Sequence, residues 1–211
     1  MVACLASCSS IGFAAAPNVD GQFWSELDAT HALSTDLSAT AIVTARLGND
    51  LPNPTLAAGG LQIDYHFGSW IASGTGYYVS VRSAETGARA AVWLPAAALT
   101  CQIEGSRFAL ADRNRVEQLD GLPGSPTRYR NRASVYWHVA GDTAMTDVFA
   151  TDEVFYDFSR NSWTRNRAQA GIQMHLDTNT RLQVFYLRQN TTYGAPDRLN
   201  VLGLTLQLDI K

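Results

Sequence analysis

The sequence predicts an all-β protein, a single up-and-down antiparallel transmembrane β-barrel of about 10–12 strands. Almost every segment after Asp20 alternates apolar and polar residues with a period of two, which is the period of a strand with two different faces. Many of these segments are long enough for a tilted membrane crossing, which takes about 9–11 residues. Charged residues make up only 17% of the chain, as expected for a wall with one apolar face.

The alternation and the turn signals divide the chain into eleven candidate strands. Short turns alternate with longer loops rich in Gly, Pro, Asn and Asp, which is typical of a barrel whose two ends differ. Closing such a sheet into a barrel pairs the edge strands that would otherwise stay open. The predicted strands cover residues 22–30, 35–47, 56–67, 70–82, 89–104, 106–119, 127–139, 146–158, 162–176, 180–190 and 199–211.

Two of these strands do not fit the scheme. Eleven is an odd number, whereas single-chain bacterial barrels have even counts. We therefore expect either that segment 22–30 is not a full crossing or that one strand is missed or split. The segment "RAAVWLPAAAL" within strand 89–104 is apolar on both parities and contains Pro95, so the pattern does not assign its faces.

The two faces of the stretch "RYRNRASVYWHV" help to distinguish a membrane barrel from a soluble one. Arg128, Arg130 and Arg132 lie on one face of the strand, while the other face is apolar and includes Val135 and Trp137. A soluble barrel or sandwich would leave the arginines in solvent, and a membrane barrel would turn them into the lumen. Strand length, low charge and unlike ends favour the membrane barrel, with the arginines inside.

The register of the next hairpin predicts ion pairs inside that lumen. A turn around Gly141–Ala144 can be closed by Ala140 opposite Met145. Opposite charges directly across a strand pair stabilise it. The hairpin through Asn161 brings Arg165 or Arg167 near Glu153, which would make Glu153 the hub of a ladder with Glu117. The first register places His138 opposite Asp147, Ser134 opposite Thr151, Arg132 opposite Glu153, and Arg128 opposite Asp157.

The N-terminal segment predicts export. Residues 1–16 resemble a secretory signal peptide that ends in small residues, although no Lys or Arg precedes Arg46. The sequence around Cys8 also resembles a lipoprotein cleavage box, and we favour a conventional signal over it. Residues 17–211 then form the barrel domain, in which Cys101 is a lone cysteine without a disulfide partner.

Catalytic and ligand-binding motifs are missing from the sequence. No nucleophile elbow, zinc-protease helix, paired CxxC or phosphate loop occurs, so no catalytic, cofactor-binding or metal-binding residues are predicted. Ser134 and His138 share a face but lie about 13 Å apart along a strand, beyond hydrogen-bond reach. A net charge of -3 gives no reason to expect nucleic acid. The alternatives are a lipid-modifying enzyme, with a Ser/His pair facing lipid, and a soluble periplasmic lipid-binding barrel.

An ordered series of motifs resembles the domain of unknown function 2490 family, DUF2490. The motifs are "LADRNRVEQ" (110–118), "RYRNR" (128–132), "DEVFYD" (152–157) and "TRNRAQAGIQ" (164–173), preceded by "QFWSELDATHAL". The resemblance implies a bacterial outer-membrane β-barrel without an established activity. It also implies inward polar side chains at Arg113, Arg115, Glu117, Arg130, Arg132, Glu153 and Arg167.

These inferences together predict an outer-membrane barrel that is structural or forms a narrow, largely occluded pore. Its partners would be outer-membrane lipid, lipopolysaccharide and, during biogenesis, the barrel-assembly machinery. The lumen would be lined by one charge network, made of Arg113, Arg115, Glu117, Arg128, Arg130, Arg132, Asp147, Glu153, Asp157, Arg165 and Arg167.

Overall fold

The computed structural model describes residues 19–48, 53–82, 87–139, 146–193 and 196–210. The predicted signal peptide, residues 1–16, lies outside the described residues. No helix in the described ranges is long and apolar enough to cross a membrane.

Eleven strands form one closed barrel, which confirms the predicted all-β architecture. They are β1 (Val19–Ala32), β2 (Leu37–Gly48), β3 (Asn53–Phe67), β4 (Trp70–Arg82), β5 (Arg89–Glu104), β6 (Phe108–Gln118), β7 (Thr127–Val139), β8 (Thr146–Asp157), β9 (Ser162–His175), β10 (Thr180–Thr191) and β11 (Arg198–Ile210).

The barrel closes between its first and last strands. Each strand pairs antiparallel with its neighbour in the chain, but β1 and β11 pair in parallel, from Val19 beside Arg198 to His31 beside Ile210. A closed up-and-down barrel with an odd number of strands must contain one such parallel pair. The expectation that segment 22–30 is not a full crossing, or that the count is wrong by one, is therefore incorrect. The prediction of a wholly antiparallel sheet fails for this pair.

The two ends of the barrel differ less than predicted. We call the end with connections 49–52, 83–88, 119–126, 158–161 and 192–197 the loop end, and the opposite end the turn end. The connection 158–161 is no longer than 33–36 at the turn end, so short and long connections do not strictly alternate. Strand pairing extends into predicted loops, as at the start of β3.

The register of strand β5 shows which of its side chains point outward, which the sequence pattern did not predict. Trp93 pairs with Tyr78 and points outward, where its ring lies over Gly76. A Cβ atom at Gly76 would come within 2.7 Å of that ring, so a side chain there would require the exposed indole to shift. Pro95 falls in a gap of the β5–β6 ladder, between the paired residues Trp93 and Ala96, where its missing N–H costs little.

Side chains of opposite character occupy the two faces of the wall. Every strand contributes at least one large apolar residue to the outer surface, and examples are Val43, Leu61, Leu99, Val135 and Leu202. The buried charged residues lie on the opposite parity, where the wall faces the lumen. This is the reverse of a soluble protein, in which charges lie outside and the apolar side chains inside.

Three layers of side chains lie in the lumen on the side of the barrel that runs from β6 through β11 to β1. Arginines and glutamates lie toward the loop end, and His, Asp and Gln lie toward the turn end. Between them is an apolar layer that the prediction of a polar lumen did not include. It consists of Trp24, Phe149, Phe185, Leu187, Leu199 and Val201, with Tyr136 packed against them.

Candidate functional site

The candidate site is the cluster of arginines and glutamates in the lumen near the loop end. Two glutamates are its centres, Glu117 on β6 and Glu153 on β8, and each is only 1% exposed. Arg130 lies on β7 between them and donates to both, through Nη1 to Glu117 at 3.1 Å and through Nη2 to Glu153 at 2.7 Å. One guanidinium therefore joins the two carboxylates and three strands.

Three further arginines surround Glu153. Arg113 Nη2 donates to its Oε1 at 3.2 Å from β6, and Arg132 Nε lies 3.4 Å from the same oxygen. Arg167 Nη1, on β9, lies 3.6 Å from Oε2. The pairing of Glu153 with Arg132 has the predicted register. The sequence left either Arg165 or Arg167 as its partner on β9, and the register selects Arg167.

Glu117 has its own set of arginines. Arg128 Nε donates to Oε1 at 2.6 Å, and Arg115 Nε lies 3.2 Å from Oε2. Hydrogen bonds between ionised partners are roughly twice as strong as neutral ones. The two sets of contacts, joined by Arg130, cross-link β6, β7, β8 and β9 from inside.

An aromatic ring that the sequence did not single out lies at the centre of the cluster. Phe155 is 1% exposed, and the guanidinium carbons of Arg130 and Arg167 each lie 4.7 Å from its ring centroid. Arg128 and Arg165 lie at 5.2 and 5.3 Å. Cation–π contacts strengthen when they are shielded from water, so this ring stabilises all four guanidiniums, including that of Arg165, whose Nε has no hydrogen-bond partner in the described part of the chain.

A second aromatic contact extends the cluster to β1 and β2. The guanidinium of Arg46 lies 3.7 Å from the ring centroid of Trp24, and that of Arg167 lies 5.1 Å from it. The alternation of apolar and polar residues already predicts that the side chains of Trp24 and Arg46 lie on the inner face of their strands. The sequence did not show that closure at β1 and β11 brings them beside Arg167.

Two predicted acidic members lie outside this cluster. Asp147, near the turn end, accepts from His138 Nδ1 at 2.8 Å and from Gln173 at 3.0 Å, and His175 Nε2 lies 3.3 Å away. The predicted pairing of His138 with Asp147 is confirmed by the register. These contacts hold the side chains of His138 and His175 on the inward side of the wall. In the described ranges, no group of three or more His, Cys, Asp or Glu side chains is arranged to hold a metal ion.

The predicted ion pair between Arg128 and Asp157 does not form. The two residues lie opposite each other as predicted, but Arg128 turns toward Glu117. Asp157 instead accepts from Ser159 at 2.6 Å and lies 3.6 Å from Arg160. A buried carboxylate binds a guanidinium better than one at the exposed rim, because solvent screens the rim pair.

The cluster therefore carries an excess of positive charge. It contains the arginines 113, 115, 128, 130, 132, 165 and 167 but only the two glutamates 117 and 153 of the predicted set. The Nε atom of Arg165 has no hydrogen-bond partner among the described residues. Such an arrangement holds strands together and attracts anions, and it presents no nucleophile beside a base.

The chain was compared with curated proteins, with solved structures and with protein-family models. No curated protein matches it. One solved structure that matches is the outer-membrane expressed OmpT of Vibrio cholerae, with 12% sequence identity and a TM-score of 0.39. That match covers 73% of this chain and 54% of OmpT, so the chain spans about half the length of that structure. The family model described as "Protein of unknown function (DUF2490)" matches residues 21–200. The chain belongs to the DUF2490 family.

Proposed function

We propose that this chain is a bacterial outer-membrane barrel whose lumen is closed by its own side chains. It would act as a structural barrel or, at most, as a narrow pore. The observation that carries the proposal is the reversed polarity of the wall. Leu61 and Leu202 on the outside are 64% and 56% exposed, while Glu117 and Glu153 on the inside are almost fully buried. A lipid environment around the wall would make this arrangement favourable.

Aromatic side chains at two levels of the outer surface support a membrane position. Tyr129 contacts Trp163 near the loop end, and Trp137 pairs with Phe108 near the turn end. Tyr129 and Trp137 are eight residues apart on β7, or about 27 Å along the strand. After the tilt of the strand is allowed for, this separation suits the apolar band of roughly 25 Å between two aromatic girdles.

The filled lumen supports a structural role. Phe149 and Val201 in the apolar layer are 2% and 0% exposed, so no solvent path passes beside them. An ion crossing this layer would leave water and lose its hydration, which is costly in a medium of low dielectric constant. Any residual current should favour anions, because arginines outnumber carboxylates in the neighbouring layer.

Outer-membrane fractionation with gel mobility before and after heating tests the proposal. We expect the mature chain in the outer-membrane fraction, with a mobility that changes on heating because the closed barrel resists unfolding by detergent. In that membrane its partners would be lipid and lipopolysaccharide, after insertion by the barrel-assembly machinery. Recovery of the exported chain from the soluble periplasm, without detergent, would contradict the proposal and favour a soluble lipid-binding barrel.

Conductance in planar bilayers tests the closed lumen. The wild-type barrel should give little or no current, because the arginine layer and the apolar layer both obstruct the lumen. The double variant Phe149→Ala/Phe185→Ala removes two large rings from the apolar layer and should increase the conductance. Stable wild-type currents of the size of a general porin would overturn the closed-lumen account.

A further inference from the structure

The outer wall carries a polar strip that the proposed function does not use. On β6 to β11, outward positions that elsewhere are apolar hold carboxylates, amides and guanidiniums, in two adjacent rows of the sheet. The polar members are Asp112, Asn114, Asn131, Asp152, Asn166, Arg188, Asn190, Arg198 and Asn200.

Two opposite charges in this strip lie close together but do not pair. Asp152 on β8 and Arg188 on β10 are both register partners of Ala168 on β9, so two strand spacings, about 10 Å, separate their backbones. Asp152 accepts from the amide of Asn166 at 2.7 Å, and Arg188 donates to Asn200 at 2.9 Å. Each charge therefore has a neutral amide as partner, and no ion pair links the two among the described residues.

The depth of the strip makes these charges unfavourable on a lipid-facing wall. Tyr156 and Trp163 form the aromatic level at the loop end on β8 and β9. Asp152 lies four residues below Tyr156, or roughly 13 Å along the strand, inside the apolar band. Charged residues at such depth normally face another protein surface or a water-filled cavity rather than acyl chains.

We propose that a second copy of this chain covers the strip, in a two-fold dimer whose axis runs along the membrane normal and passes β9. The inference rests on the proposed membrane location. When two copies face each other across such an axis, β8 of one lies opposite β10 of the other. Asp152 of each copy then pairs with Arg188 of the other, which satisfies both charges at once.

The shape of the wall around β9 fits this contact. Ala150, Ala168 and Ala170 are the outward residues beside the axis, and all three are exposed. Small side chains let two sheets approach closely enough for an ion pair to form. The tilt of the strands sets Asp152 and Arg188 roughly 6 Å apart in height, a difference that the length of an arginine side chain spans.

Charge exchange tests the dimer directly. Asp152→Arg places two guanidiniums opposite each other at both contacts, and Arg188→Asp places two carboxylates there. In lipid nanodiscs, each single variant should weaken dimerisation on the order of tenfold or more. The double variant Asp152→Arg/Arg188→Asp should restore it to near the wild-type level. Asp112→Arg, the same change on the same wall but on β6, should leave dimerisation unchanged.

Disulfide trapping in isolated outer membranes supplies the second measurement. In a background without the native cysteines, Ala168→Cys should cross-link two copies, and Val43→Cys on the opposite wall should not. A wild-type monomer in lipid, or a double variant as monomeric as the singles, would overturn the dimer. So would a monomer whose bound lipopolysaccharide falls with Arg188→Ala, since the phosphates of the lipid would then occupy the strip. In each of these outcomes, a heat-modifiable barrel in the outer membrane would leave the proposed function standing.

Discussion

At the scale of single residues, the structure separates neighbours in the sequence into unlike environments. Glu153 and Asp152 are adjacent acids on β8, yet Glu153 is 1% exposed within four arginines and Asp152 lies on the outer surface. The period of two in a strand is the cause, because it turns each residue to the face opposite its neighbour. Because of this period, substitutions at two adjacent residues of one strand should have very different effects on stability.

Replacement of Glu153 by alanine should destabilise the barrel strongly. It leaves Arg130, Arg132 and Arg167 without a shared carboxylate in a buried site, which costs about 3–5 kcal/mol. Asp152→Ala removes only a partner of Asn166 and should cost about 1 kcal/mol or less in a monomer. Urea unfolding in dilute detergent measures both, and equal midpoints for the two variants would show that the arginine–glutamate cluster does not stabilise the barrel.

Gly203 should not tolerate a side chain. A Cβ atom there would lie 2.1 Å from the Phe185 ring in the lumen, whereas a Cβ atom at Gly59 would meet nothing within 4 Å. Overpacking of this kind costs about 1–3 kcal/mol. In thermal or urea unfolding, Gly203→Ala should therefore be less stable than Gly59→Ala, and Phe185→Leu should partly rescue it. A Gly203→Ala variant as stable as Gly59→Ala would contradict the packing of Phe185.

At the scale of strands, the sequence predicted the order of the elements and part of their register. The alternation located all eleven strands, and the β7–β8 hairpin has the predicted register, with His138 opposite Asp147 and Arg132 opposite Glu153. Both predictions depend on local features of the sequence: the strand positions on the period-two alternation, and the β7–β8 register on the turn between the two strands. The sequence does not contain a local signal for closure, because the partner of β1 lies at the other end of the chain.

Cysteine cross-linking can test the parallel pairing of β1 with β11. Leu27 and Leu206 are register partners on the outer face. The double variant Leu27→Cys/Leu206→Cys should form a disulfide or a short cross-link in the folded barrel. Leu27→Cys/Ile210→Cys, displaced by about 13 Å along β11, should not. Cross-linking of the second pair in preference to the first would show a different closure.

At the scale of the whole molecule, closure brings together side chains from opposite ends of the chain. Parity places Phe155, Trp24 and Arg46 on the inner face, but it does not show which strands they meet there. The contact of Trp24 with Arg167 exists because closure brings β1 close to β9. Phe155 instead meets Arg167 on the neighbouring strand, and Arg46 lies over Trp24, its register partner. Arg128 pairs with Glu117, its register partner on β6, rather than with Asp157 on β8, because Glu117 is the more buried carboxylate.

The barrel as a whole places apolar side chains outward and charged ones inward, and its tryptophans report on both faces. Trp137 and Trp163 are 52% and 55% exposed on the outer wall, and Trp24 is 7% exposed in the lumen. In the proposed membrane barrel, the outer wall contacts lipid while the lumen excludes it. Variants that each keep one tryptophan, with the others replaced by phenylalanine, isolate these positions.

Fluorescence quenching by brominated acyl chains in liposomes measures which of these indoles contacts lipid. The variant that retains Trp137 should be strongly quenched, because its indole contacts the lipid near the turn end. The variant that retains Trp24 should keep its emission, because the wall separates its indole from the acyl chains. Quenching of Trp24 as strong as that of Trp137, or no quenching of either, would contradict the account.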